Sequence, residues 1–148
     1  MVEPVFFLGD RQDAKSIREQ YPLDSNLLKM PSKKEDEHPF WTLVLYFNKN
    51  AIATGSIKEI DPETYEIFSI AVSKSLVEKG IGKNTVKFLL TKIKTLGGRK
   101  AIVNSPIGLL PFFTRCGFSS NDGEVSLEKG EPTIKLEKIL VKPHRGRF

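Results

Sequence analysis

Two glycines one residue apart, Gly80 and Gly82, stand at the mouth of a helical run. Lacking a Cβ, each lets backbone N–H groups come close to an anion, and the N-terminus of the helix behind them adds a partial positive charge. That is phosphate-binding chemistry. The same two residues also suit a plain helix entry, and Gly-x-Gly alone does not choose between the two. Other candidates for chemistry are few. The single cysteine, Cys116, lies beside Gly117 and reads as a small packing residue rather than a nucleophile. His38 and His144 have no Cys, His or carboxylate at ligand spacing, so no metal site is expected.

These residues need elements to position them. Val5 to Leu8 reads as a strand ending at Gly9, and about Arg11 to Gln20 as a helix stopped by Pro22. Asp24 is placed to cap a second short helix through Met30, and Pro31 to Pro39 is a charged, proline-bounded loop. Trp41 to Phe47 and Ala51 to Ile60 are rich in aromatic and β-branched residues around the turn Asn48-Lys49-Asn50, which predicts a hairpin. After Asp61-Pro62-Glu63, Thr64 to Val72 makes a further strand.

Beyond the glycines, Val86, Leu89, Leu90, Ile93 and Leu96 recur at helical spacing up to Gly97-Gly98. Lys100 to Asn104 is a short strand, and Leu109 to Cys116 a short helix capped by Gly117. Glu124 to Leu127 and Thr133 to Ile139 make a final hairpin. No repeat or domain boundary interrupts the order, so residues 1–148 read as one domain with a basic tail from about 141.

The bulk properties bound the function. A chain of 148 residues with 39% hydrophobic and 28% charged residues has the makeup of an ordinary globular domain. Its longest apolar runs fall far short of the roughly 20 residues of a membrane span. An acidic Met1-Val2-Glu3-Pro4 start does not resemble an export signal, and one cysteine fits a reducing compartment, so cytoplasm or nucleus is expected. The net charge of +5 favours anionic partners. Its spread over Lys83, Lys87, Lys92, Lys94, Arg99 and Lys100, with a terminal cluster Lys142, His144, Arg145 and Arg147, speaks for a solvated surface rather than a nucleic-acid groove.

In order and spacing the chain resembles the GNAT superfamily of N-acetyltransferases. The match rests on a strand ending at Val72, a loop leading to Gly80-Ile81-Gly82, and Pro111-Phe112-Phe113-Thr114-Arg115-Cys116-Gly117-Phe118, similar to the family's aromatic pair, three residues and Gly-Phe. It extends from about Trp41 to Ile139. The resemblance implies an α/β (α+β) fold, a mixed sheet of six to seven strands flanked by about four helices. It also implies acetyl-CoA as co-substrate, with its pantetheine arm between the strands Tyr65 to Val72 and Lys100 to Asn104. Ser69, Ile70, Ala71 and Val72 would line that arm; Val77, Glu78, Lys79, Gly80, Ile81, Gly82 and Lys83 would face the pyrophosphate; Phe113 would lie beside the cofactor. The histone acetyltransferase branch places a glutamate base where Glu66-Ile67 falls, which implies Glu66 as the residue that deprotonates an ammonium substrate.

Three positions depart from the family pattern. Val77 replaces the loop's Arg or Gln, Glu78 brings a carboxylate near the phosphates, and Phe113 replaces a tyrosine proposed to protonate the departing thiolate. The first function expected is transfer of acetyl from acetyl-CoA to a primary amine, on a small molecule or a protein, by direct attack. The alternative is a GNAT-like domain without catalysis that works as a protein-binding module, as the antizymes of ornithine decarboxylase resemble this fold. The acceptor is left open, as is the choice between monomer and homodimer.

Overall fold

In the computed structural model, residues 2–20, 39–73, 80–120, 122–128 and 130–140 are described. The expected helix from Asp24 to Met30, the proline-bounded loop up to His38 and the basic tail lie outside them. The elements run β1 (Val2–Leu8), α1 (Gln12–Gln20), β2 (Phe40–Phe47), β3 (Asn50–Asp61), β4 (Thr64–Val72), α2 (Ile81–Thr95), β5 (Lys100–Pro106), a 3-10 turn (Ile107–Leu109), α3 (Leu110–Arg115), β6 (Val125–Glu128) and β7 (Glu131–Ile139). The seven strands form one sheet in the order β1-β2-β3-β4-β5-β7-β6. Every pairing is antiparallel except β4 with β5.

Local chemistry accounts for most boundaries. The β2–β3 turn takes positive φ at Asn48 and Lys49, 52° and 68°, the geometry a two-residue hairpin needs to match strand twist. β1 begins three residues earlier than the apolar run Val5 to Leu8 suggests. As the outer strand of the sheet it tolerates Pro4, whose missing N–H removes no bond from the interior of a ladder. Gly117 follows α3 with φ 96°, a left-handed stop open to glycine.

Side chains alternate across the strands and divide the core between two faces. On one face, Leu43, Leu45, Ile57, Ile67, Ile70 and Val72 pack with Val86, Leu89, Leu90 and Ile93 of α2 and with Phe113 and Phe118. Gly55 allows this approach, since a Cβ there would stand 2.7 Å from Leu89 Cδ1. Lys92 of α2 lies over the rings of Trp41 and Phe6, at 4.4 and 5.2 Å, and fastens the helix to β1 and β2. The opposite face carries Phe40, Thr42, Val44 and Phe68 and is packed by α1 through Ala14 and Ile17. Among the described residues, no helix is long and apolar enough to cross a membrane.

Candidate active site

The sheet opens at one place. β4 and β5 pair through Thr64↔Lys100, Tyr65↔Ala101 and Glu66↔Ile102, and among the described residues the parallel ladder ends there. Beyond Glu66 the edge of β4 facing β5 therefore has no strand partner. β4 also carries a bulge on its other side: its register with β3 skips between Ser56↔Phe68 and Thr54↔Ala71, so Ser69 and Ile70 together oppose Gly55. Ser69 has φ 56°, a sterically restricted conformation for a residue with a Cβ, and its hydroxyl is buried without a hydrogen bond. The bulge turns the strand just where the parallel pairing stops.

Ile70, Ala71 and Val72 complete β4, all nearly enclosed. Val77, Glu78 and Lys79 lie outside the described residues. The chain is described again at Gly80, the N-cap of α2, with φ 79°. Among the described residues no side chain caps this helix, and its first turn contains no acid; the N–H groups of Ile81, Gly82 and Lys83, at the start of the helix, have no intrahelical acceptor. Both glycines have a local reason. Gly80 takes a left-handed φ, and a Cβ on Gly82 would come within 3.2 Å of Phe112 Cε1, where α3 packs against the start of α2. Gly80 is exposed with open space about it, and Lys83 is exposed on the same turn. N–H donors without an intrahelical acceptor, beside an exposed glycine and a cation, suit the phosphates of an anionic cofactor.

Phe113 is fully buried, edge-on to Phe112 and Phe118 at ring-centre distances of 5.0 and 5.8 Å. It is part of the core that seats α3 against β5. Cys116, half-buried at the end of that helix, has its thiol pushed up by burial, partly offset by Lys83, Lys138 and Arg115. Among the described residues, no group of three or more His, Cys, Asp or Glu side chains could hold a metal.

Glu66 lies at the last paired position of β4, between the core residues Tyr65 and Ile67, so its side chain belongs to the face away from α2. Asn104, two residues past Ile102 on β5, donates its side-chain amide to Glu66 Oε2 at 3.3 Å. Across β3, Lys58 directly faces Glu66 and is 9% exposed. Glu66 is thus a partly buried carboxylate among polar neighbours, whereas an apolar setting would favour its neutral form. The sequence reading had neither neighbour. Lys58 was within reach, because counting back across the turn at Asp61-Pro62-Glu63 pairs it with Glu66. Asn104 was not, because it depends on the parallel register.

The site thus spans the length of β4. From Glu66 to Val72 the strand covers about 20 Å at ~3.3 Å per residue, with a carboxylate at one end and a helix N-terminus beyond the other.

Comparison with known proteins bears on the family and the fold. Residues 8–118 match the family model described as the acetyltransferase (GNAT) family. A 60-residue stretch is 42% identical to an uncharacterized N-acetyltransferase, YvbK, of Bacillus subtilis (strain 168); it takes in 38% of this chain and 39% of that protein's length. Among solved structures, a GNAT family acetyltransferase from Elizabethkingia anophelis with acetyl-CoA bound superposes with a TM-score of 0.62 at 22% identity, covering 93% of this chain and 98% of the other. An acyl-CoA N-acyltransferase from Pseudomonas aeruginosa reaches a TM-score of 0.70 at 16% identity, covering 93% and 99%. At these identities the structures speak for the fold.

Proposed function

Because the chain belongs to the acetyltransferase (GNAT) family, we propose that it is an acetyl-CoA-dependent N-acetyltransferase that acts on a primary amine by direct attack. The observation that carries this reading is the end of the β4–β5 ladder at Glu66, which leaves a partly buried carboxylate at the fork, with a helix N-terminus that no described side chain caps past the far end of the same strand. The residues present suit the cofactor: the N–H groups of Ile81, Gly82 and Lys83 with the Lys83 ammonium for its phosphates, and the unpaired edge of β4 through Ile70, Ala71 and Val72 for its arm. When bound, acetyl-CoA supplies the acyl carbon and a thiolate leaving group.

Glu66 takes the proton from the substrate ammonium, freeing the nitrogen lone pair for attack. Such general base catalysis contributes roughly 10²–10⁴-fold. Phe113, buried and without an ionisable proton, gives no help to the leaving thiolate, which as a stabilised anion departs unaided.

The reading is tested by calorimetric titration with acetyl-CoA and by thiol release with a panel of primary amines, comparing wild type with Glu66→Gln. The expected result is micromolar cofactor binding by both proteins and a turnover lowered at least about 100-fold in the variant. Absence of binding at millimolar acetyl-CoA would sink the enzyme reading and leave a binding module on the same fold.

A further inference from the structure

The face of the sheet away from α2 holds an ammonium to which the described chain gives no anion. Lys58 is 9% exposed, and among the described residues it has neither a hydrogen bond nor an ion pair; its Nζ lies 5.9 Å from the centre of the Phe68 ring. The other described cations around the fork are matched or exposed. Arg18 pairs with Asp10 at 2.8 Å, Lys100 pairs with Glu137 at 3.4 Å, and Lys135 is exposed. Lysines are rarely so enclosed without a partner, because taking an unpaired charge out of water is costly. Lys58 is therefore suited to a partner that comes from outside the chain.

Its surroundings follow from the register. Phe40, Lys58 and Glu66 are successive partners across β2, β3 and β4, and Thr42, Ser56 and Phe68 form the next row on the same face. The rings of Phe40 and Phe68, 5.8 Å apart at their centres, give this patch apolar walls. Thr42 and Ser56 are wholly enclosed and their hydroxyls have no partner, whereas Thr54, one pleat farther along β3, donates to the Leu43 carbonyl at 2.7 Å. Buried polar groups are normally satisfied. An enclosed cation and two unused hydroxyls among aromatic walls have the makeup of a binding patch for a small polar ligand.

Resting on the reading of Glu66 as the base, we propose that the acceptor is a free amino acid whose carboxylate is held by Lys58. Directly opposed residues of an antiparallel ladder carry Cβ atoms about 5 Å apart, so a ligand that brings its ammonium to Glu66 has its next few atoms beside Lys58. In an α-amino acid one carbon separates the amine from the carboxylate, and both charges are met together. An alkylamine, or a lysine side chain within a protein, offers Lys58 nothing. With little water around it, the ammonium binds a carboxylate more strongly than an exposed lysine would.

The test uses the full chain with the common amino acids and their α-amides, which keep the amine and lose the anion. Thiol release from acetyl-CoA gives kcat/KM for each acid and its amide, and calorimetric titration with the amino acid in the presence of CoA reads binding without turnover. Wild type should favour at least one amino acid over its amide by about tenfold or more. Lys58→Met should reduce that preference by about tenfold to a hundredfold, mainly through KM, as the loss of a charge-assisted hydrogen bond implies. Lys58→Arg keeps the charge and should retain most of the preference; Lys58→Gln repeats the neutral change should the methionine disturb folding. Equal losses for acid and amide in the neutral variants, or a wild type that prefers the amides, overturn the proposal and leave the enzyme reading standing. Absence of both binding and thiol release with every amino acid overturns it as well. Amino-acid binding that is lost in the neutral variants, but that no thiol release follows in wild type, supports the Lys58 site and sinks the enzyme reading instead.

Discussion

Asn104 on β5 donates to Glu66 on β4 across the point where the two strands cease to pair. The bond joins residues 38 positions apart in sequence and spans the apex of the fork. A hydrogen bond to a charged group is worth about 1.5–3 kcal/mol, enough to fix the orientation of the Glu66 carboxylate, which is the proposed base.

Asn104→Ala should therefore lower kcat by roughly ten- to a hundredfold, as that range of energies implies, with acetyl-CoA affinity little changed. Steady-state thiol release with calorimetry of the cofactor separates the two effects. Equal losses in turnover and cofactor affinity would show that Asn104 serves the binding cleft instead.

At the opposite end of the strand, Gly80→Glu places both a Cβ at a left-handed φ and a negative charge beside the open N–H groups of α2. Acetyl-CoA binding should weaken at least about tenfold, since a charge beside a helix terminus and its ligand shifts the balance by a kcal/mol or more. Gly80→Asn, which tolerates the left-handed region, should retain most of the affinity.

Packing beneath the site gives a stability prediction. In Gly55→Ala the new methyl would press on Leu89 Cδ1 at 2.7 Å and sit in contact with Thr85 and Ile70. Overpacking of this kind destabilises by about 1–3 kcal/mol, which urea denaturation would read as a lower midpoint with an unchanged slope. Because Gly55 lies opposite the β4 bulge, activity should fall together with stability.

Tyr46 supplies a pH dependence. Burial, the hydrogen bond to Asp13 and the Asp13 charge push its phenol up from 10.0 to about 12. The folded state thus holds the proton more tightly than the unfolded chain, and the resulting stability is fully present below pH 10 and disappears as pH rises toward 12. Tyr46→Phe should be less stable than wild type near neutrality, with the gap closing across that window. The ultraviolet absorbance of tyrosinate would show one fewer late-titrating phenol in the variant.

Much of the fold was legible because its signals are local. The limits of β4, Thr64–Val72, follow from the turn Asp61-Pro62-Glu63 before it and the loss of β-forming residues after it. The spacing of Val86, Leu89, Leu90 and Ile93 defines the buried stripe of α2, and Gly80 and Gly82 mark its start. β1 was less legible, because Pro4 reads as a breaker until the strand is known to lie at the edge. For the site, Glu66 and the helix entry could be named from motifs, while Asn104 could not.

The sequence by itself determined the periodicities, the turns and the order of elements, since each depends on the conformational preference of neighbouring residues. It also determined that a carboxylate and a pair of glycines flank one strand. Only the tertiary structure decided what surrounds them. The pairing of β4 with β5 joins segments separated by α2, and the bulge at Ser69 moves the register by one residue. A single step of register turns a side chain to the opposite face of a sheet. The partners of Glu66 are therefore a property of strand pairing, which no local pattern encodes.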